Sequence, residues 1–188
     1  ESTPPSIASV RRLAEKLNDT PDPVVAGFKD WGPWVNGGAW LVVGGHRVDF
    51  LYRSLDQWDE VYHDAREGKY ELHYGQQPPF GFFSPIYLGE MRIAVPMFDD
   101  MSELASRKQQ VADYPEALRH SVIQNCLWGV EFGLNSFAPK FANAEDSYGV
   151  VGCLSRFSYF LVLALFALNN QYPVNDKTSL DEITEFDA

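Results

Sequence analysis

The residue best suited to chemistry is Asp49, in the middle of the run His46-Arg-Val-Asp-Phe-Leu-Tyr52. Strand alternation puts Val48, Phe50 and Tyr52 on one face and Arg47, Asp49 and Leu51 on the other. A carboxylate in so apolar a strand is costly to bury unless a cation pairs with it. That cation could be a metal ion, or it could be Arg47 or Arg53 in an ordinary ion pair. Glu90, after Tyr87-Leu-Gly, could orient a substrate amine or hydroxyl, or be an exposed helical glutamate. Lys140 and Lys177 are point charges able to meet a triphosphate, or solvated lysines. Arg156 falls among apolar residues and, if buried, needs a partner such as Asp146 or Glu131. Trp31, Trp34 and Trp40 could stack a base or sugar, or pack in the core. The histidines, His46, His63, His73 and His120, lack metal-ligand spacing. Cys126 and Cys153 read as small core residues, too few for a disulfide framework or a zinc site.

These residues need elements to hold them. Pro4-Pro-Ser6 followed by Ile7, Val10, Leu13 and Leu17 predicts an amphipathic helix. Asn18 to Pro23 reads as a turn and Val24 to Phe28 as a strand. Trp31 to Gly38 is a rigid aromatic and glycine-rich connection. Ala39 to Val43 and His46 to Tyr52 form a predicted hairpin across Gly44-Gly45, since both glycines accept a positive φ. That pair lacks the flanking pattern of a phosphate-binding loop. Leu55 to Arg66 has helical spacing, with Gly68 placed to end it. Tyr70 to Tyr74 reads as a strand, Gly75 to Phe83 as a loop, and Ser84-Pro85 as the start of a helix reaching Ile93. Beyond Asp99-Asp100 the pattern is helical, over Met101 to Val111, Tyr114 to Phe137, Ser147 to Asn169 and Leu180 to Phe186. An α+β chain follows, with a mixed α and β domain over 1–100, a helical-bundle domain over 101–188 and a soft boundary near 96–113.

Composition narrows the partners. The chain has 188 residues, 45% hydrophobic and 14% aromatic, enough for a sizeable core. Fifteen Lys and Arg against 26 Asp and Glu leave a net charge of −11, which would repel DNA or RNA and suits a small cation or a nucleotide carried in with magnesium. Solubility alone would also account for that charge. The apolar stretch Phe157 to Leu168 is interrupted by Ser158 and too short for a bilayer, so no membrane is expected. No secretory pattern opens the chain, although a mature form could have lost one, and two cysteines without a framework suit a reducing cytoplasm.

One resemblance covers nearly the whole chain from Pro4. Trp31-Gly-Pro-Trp-Val-Asn-Gly-Gly-Ala-Trp-Leu-Val-Val-Gly-Gly-His-Arg-Val-Asp-Phe-Leu-Tyr-Arg53 resembles the central hairpin of bacterial nucleotidyltransferase-domain proteins of the polymerase-β type, related to aminoglycoside-modifying enzymes. Gly81-Phe, Tyr87-Leu-Gly-Glu90, Tyr114-Pro, Lys140, Tyr148 to Arg156, Ala167-Leu-Asn169 and Tyr172-Pro-Val-Asn-Asp-Lys177 follow in the family's order. The resemblance implies a partial nucleotidyltransferase mixed sheet with flanking helices, ahead of a helical domain. It implies transfer of a nucleoside monophosphate from a nucleoside triphosphate to a hydroxyl of a small, possibly cationic molecule. It implies Mg²⁺ held by three carboxylates. Asp49 matches the third carboxylate, and Glu90, Lys140, Tyr172, Asn175 and Lys177 match substrate- or nucleotide-binding positions. The family's Gly-Ser turn and Asp-x-Asp pair have no counterpart, because neither pattern occurs in the sequence. The nearest spacing, Glu185-Phe-Asp187, lies in the C-terminal tail. Pro4-Pro-Ser-Ile-Ala-Ser-Val resembles the family just after its Asp-x-Asp strand, which implies a truncated piece or a protein that has lost the metal site. The second of these makes the chain a catalytically inactive binding or interaction module. A sheet without its first strand has an open edge, and a homodimer is one way to cover it.

Overall fold

A computed structural model describes residues 4–187. The chain is mixed α and β, with small antiparallel sheets of three and two strands. It divides into two compact units, one up to Glu60 and one from Val61.

In the first unit, helix α1 (Ile7–Leu17) precedes strands β1 (Val24–Val25), β2 (Gly38–Val43) and β3 (His46–Leu51), in sheet order β1-β2-β3. Ala14 of α1 packs with Ala39 and Leu41 of β2, and Val10, Val25, Val43, Val48 and Phe50 close around them. The alternation read from the sequence therefore places β3 correctly, with Val48 and Phe50 half-buried and Arg47, Asp49 and Leu51 exposed. The Gly44-Gly45 turn forms with φ of 58° and 79°. It is tied from outside the hairpin, because Asp19 accepts hydrogen bonds from Gly44 N (3.0 Å) and Gly45 N (2.8 Å). Beside it Asn18 Oδ1 accepts from Val42 N. Asp19→Ala is expected to lower the unit's stability by about 1 kcal/mol, read as a lower urea midpoint with an unchanged slope. An unshifted midpoint would show the turn to be self-sufficient.

Helix α2 (Leu55–Arg66) has the bounds its spacing predicts, and Gly68 follows it at φ 76°. The division at 60/61 falls inside α2, well before 96–113, where the sequence turns wholly helical. Packing explains the difference. Strands β4 (Leu72–His73) and β5 (Phe82–Phe83) and helix α3 (Ile86–Ile93) lie with the later helices. Gly68 sits so close to α5 that a Cβ there would come within 2.9 Å of the Ala117 carbonyl oxygen. A Cβ on Gly89 of α3 would meet Tyr172 and Pro173 at 2.9 Å.

The rest of the second unit comprises α4 (Glu103–Gln110), α5 (Glu116–Ser136), α6 (Ala138–Asn143), α7 (Ser147–Leu168) and α8 (Ser179–Ile183). Leu118, Val122, Cys126 and Val130 are buried at intervals of four, one stripe along α5. Each Leu or Val of the stripe contributes about 1.5–3 kcal/mol on leaving water. Two sequence expectations are corrected. The loop expected over Gly75 to Phe83 contains β5, which pairs antiparallel with β4. The sheet expected to be mixed is antiparallel in every pairing among the described residues. The apolar stretch from Phe157 also joins the preceding turns into one 22-residue helix, α7, long and apolar enough to cross a membrane by length and composition. Here α7 lies along α5, with Phe157 against Gly133 and Phe160 against Gly129.

Candidate functional site

Asp49 projects from the middle of β3, opposite Trp40 of β2. Cross-strand partners share a face, so carboxylate and indole stand side by side. Trp40 is 52% exposed, and Trp31 stacks on it with ring centroids 4.7 Å apart. Trp34 is buried and belongs to the core. Neither ion pair envisaged for Asp49 forms. Among the described residues no ion pair or side-chain hydrogen bond engages it, while Arg53 donates through Nη1 to the carbonyls of Val35 and Tyr52. Exposure removes the burial cost that made a cation necessary. Among the described residues β3 is also the last strand of its sheet, so Asp49 lies on an edge strand. At the end of β3 a cavity of about 640 Å³ is lined by Leu51, Tyr52 and Arg53 together with Lys29, Asp56 and Glu60.

The other expected residues fall in the second unit. Glu90 is half-buried on α3. Tyr172 is 5% exposed, stacked on Tyr114 at 4.6 Å, and directs its hydroxyl at the Asp113 carbonyl. It is a packing residue rather than an open contact for a ligand. Asn175 Oδ1 accepts from Lys177 N at 2.8 Å, and the Asn175 carbonyl accepts from Ser179 Oγ at 2.6 Å, so this residue shapes the loop before α8. The Lys177 side chain is exposed on that loop. Lys140, on α6, holds its ammonium 5.1 Å from the centroid of the Phe137 ring. Tyr172, Asn175 and Lys177 thus share one segment and Glu90 lies on the helix packed against its start, whereas Lys140 sits apart on α6.

A magnesium ion takes six oxygen ligands in near-octahedral geometry. Among the described residues no three His, Cys, Asp or Glu side chains gather to hold a metal. Asp49 alone does not make a magnesium site.

A second cavity, of about 720 Å³, lies between α5 and α7 and involves residues to which the sequence alone assigns no site. Its walls are aromatic, with Trp128 and Phe132 stacked at 5.0 Å along α5 and Phe157 and Phe160 on α7. Cys126 and Cys153 both line it, and burial pushes the Cys126 thiol up to about 11. Arg156 lies at this cavity and is exposed, so it lacks the burial that would require Asp146 or Glu131 as a partner. Asp146 caps α7 by accepting from Gly149 N, and Arg156 instead donates to Tyr74 Oη at 2.7 Å. The legible signal was glycine spacing, Gly129 and Gly133 four apart and Gly149 and Gly152 three apart, which lets rings lie on the helix backbones.

No family model, curated protein or solved structure matches the chain.

Proposed function

We propose that the chain is part of a nucleotidyltransferase, contributing one carboxylate, Asp49, to transfer of a nucleoside monophosphate from a nucleoside triphosphate to a hydroxyl of a small, possibly cationic molecule in the cytoplasm. The observation that carries the reading is the setting of Asp49, exposed and unpaired on an edge strand beside an exposed indole. A base can stack on Trp40 while the carboxylate faces the polar end of the same ligand. A strand added along β3 would bring its own side chains next to Asp49, at a spacing of about 5 Å. Two further carboxylates on such a strand would supply what residues 4–187 lack.

Calorimetric titration with ATP and Mg²⁺ is the test. The native chain is expected to bind, and Asp49→Ala to weaken binding about tenfold, which corresponds to one lost charged contact. Equal affinity in the two proteins removes Asp49 from the site. A second reading, an inactive nucleotide- or small-molecule-binding module, is favoured by the solitary carboxylate. Pyrophosphate release separates the two, since binding without release in the presence of an aminoglycoside acceptor supports the inactive module. A homodimer closing the β3 edges would elute at twice the monomer mass.

A further inference from the structure

The geometry points to the cavity between α5 and α7 as a binding site for a small carboxylate with an apolar, flat or extended body. This inference rests on the second unit alone and is independent of Asp49.

The volume, about 720 Å³, falls in the range of small-molecule sites, about 300–1,000 Å³. The lining is ring faces and glycine backbone. A Cβ at Gly133 would come within 2.2 Å of the Phe157 ring, and one at Gly149 within 2.3 Å of the Phe141 ring. These glycines let the rings lie close to the helices and form walls. Gly152 differs, because a Cβ there meets nothing within 4 Å. It faces the empty space itself.

Arg156 is the only ionisable acid or base of Asp, Glu, Lys, Arg or His type along the lining. It follows Gly152 by one helical turn and so stands on the same side of α7. Its guanidinium is held by three contacts: the hydrogen bond to Tyr74 Oη, the Tyr74 ring with centroid 5.0 Å away, and the Phe160 ring at 5.4 Å. None of these neutralises it, and no ion pair engages it among the described residues. Arg156 is exposed at the edge of the cavity, and in a chain of net charge −11 its guanidinium, with no carboxylate partner among the described residues, favours an anion there. Its planar fork matches a carboxylate in a bidentate pair. The aromatic walls then take the apolar body, which can be an alkyl chain or an aryl ring system.

The test is calorimetric titration of the full chain with decanoate and with 2-naphthoate, which distinguish the alkyl and aryl forms. Matched neutral alcohols and decylamine serve as controls. One or both acids are expected to bind at least about tenfold more tightly than the corresponding alcohol, with the amine weakest. Arg156→Gln is expected to erase that preference. Gly152→Phe, which enters open space on an intact helix, is expected to abolish binding while the circular dichroism melt is retained. Alcohols binding as well as acids, an Arg156→Gln variant of native affinity, or no binding of either acid would each overturn the proposal. A dimer that Gly152→Phe dissociates, in a protein indifferent to both acids, would assign the cavity to a second copy and overturn it equally.

Discussion

Gly38→Ala is expected to unfold the first unit. Gly38 opens β2 with φ of 152°, and a Cβ at that position would lie 1.7 Å from the Phe50 carbonyl oxygen and 2.7 Å from its carbon. Both atoms belong to the backbone of β3, so no side-chain rotation relieves the contact. The register that pairs Gly38 with Leu51 must break, and Ala26 N loses its 2.8 Å bond to the Gly38 carbonyl. A cost of at least about 4 kcal/mol is of the size that single substitutions reach only through such backbone conflicts. A unit of this length, built around Ala14, Ala39 and Leu41, has little stability to lose. Urea titration followed by tryptophan fluorescence should show the first unit already unfolded before urea is added, because Trp31, Trp34, Trp40 and Trp58 all precede Val61. Gly44→Ala is the control. Its φ is also positive, but nothing lies within 4 Å of the added methyl, so about 1–2 kcal/mol of left-handed strain is the whole effect. Equal melts for the two variants would show that the close approach of β2 and β3 at Gly38 is not a fixed feature of the fold.

The hairpin that mounts Asp49 was legible because two kinds of local rule agreed. Side-chain alternation set the faces of β3, and the glycine pair set the turn. α2 was legible for a similar reason, with periodic Leu55, Trp58, Val61 and Tyr62 running up to a glycine that takes a positive φ. Where elements are two residues long no period exists to read. β1 therefore stops at Val25, short of the strand expected over Val24 to Phe28, and β5 falls where a loop is expected. Alternation also says which face Asp49 is on but not whether anything covers that face, which depends on chain far away. The expectation of a mixed sheet came from family likeness rather than from any pattern in the residues. The ligand role expected of Tyr172 rests on the same likeness, and its burial follows from Tyr114, 58 positions earlier, which only the folded chain brings against it. The cavity depends on two helices lying together, so its residues are scattered from Tyr70 to Phe160.

Alkaline pH is expected to unfold the second unit well before arginine titrates. Tyr159 and Tyr172 are 6% and 5% exposed, and burial pushes both hydroxyls far above their ordinary value of 10.0. Tyr114 moves the same way, again chiefly through burial. A phenol is neutral when protonated, and a raised folded pKa means that the folded state holds its proton where the unfolded chain releases it. The stability is therefore complete below the unfolded pKa near 10 and is lost as pH rises from there toward the folded pKa. Each fully protected tyrosine loses about 1.4 kcal/mol per pH unit above 10, so Tyr159 and Tyr172 together account for up to about 3 kcal/mol at pH 11. That is a large fraction of the stability of a unit this size. Tyrosinate absorbance and far-ultraviolet circular dichroism should thus change together, in one steep step. Independent titration of exposed phenols would give a gradual absorbance change that leaves the helices intact. Tyr172→Phe separates the two outcomes. It keeps the ring stacked on Tyr114 while removing one acid, so the pH slope of stability should flatten by about 1.4 kcal/mol per unit above pH 10. A slope equal to that of the native chain would mean that Tyr172 ionises as readily folded as unfolded, and that its ring is not sealed from water as the packing requires.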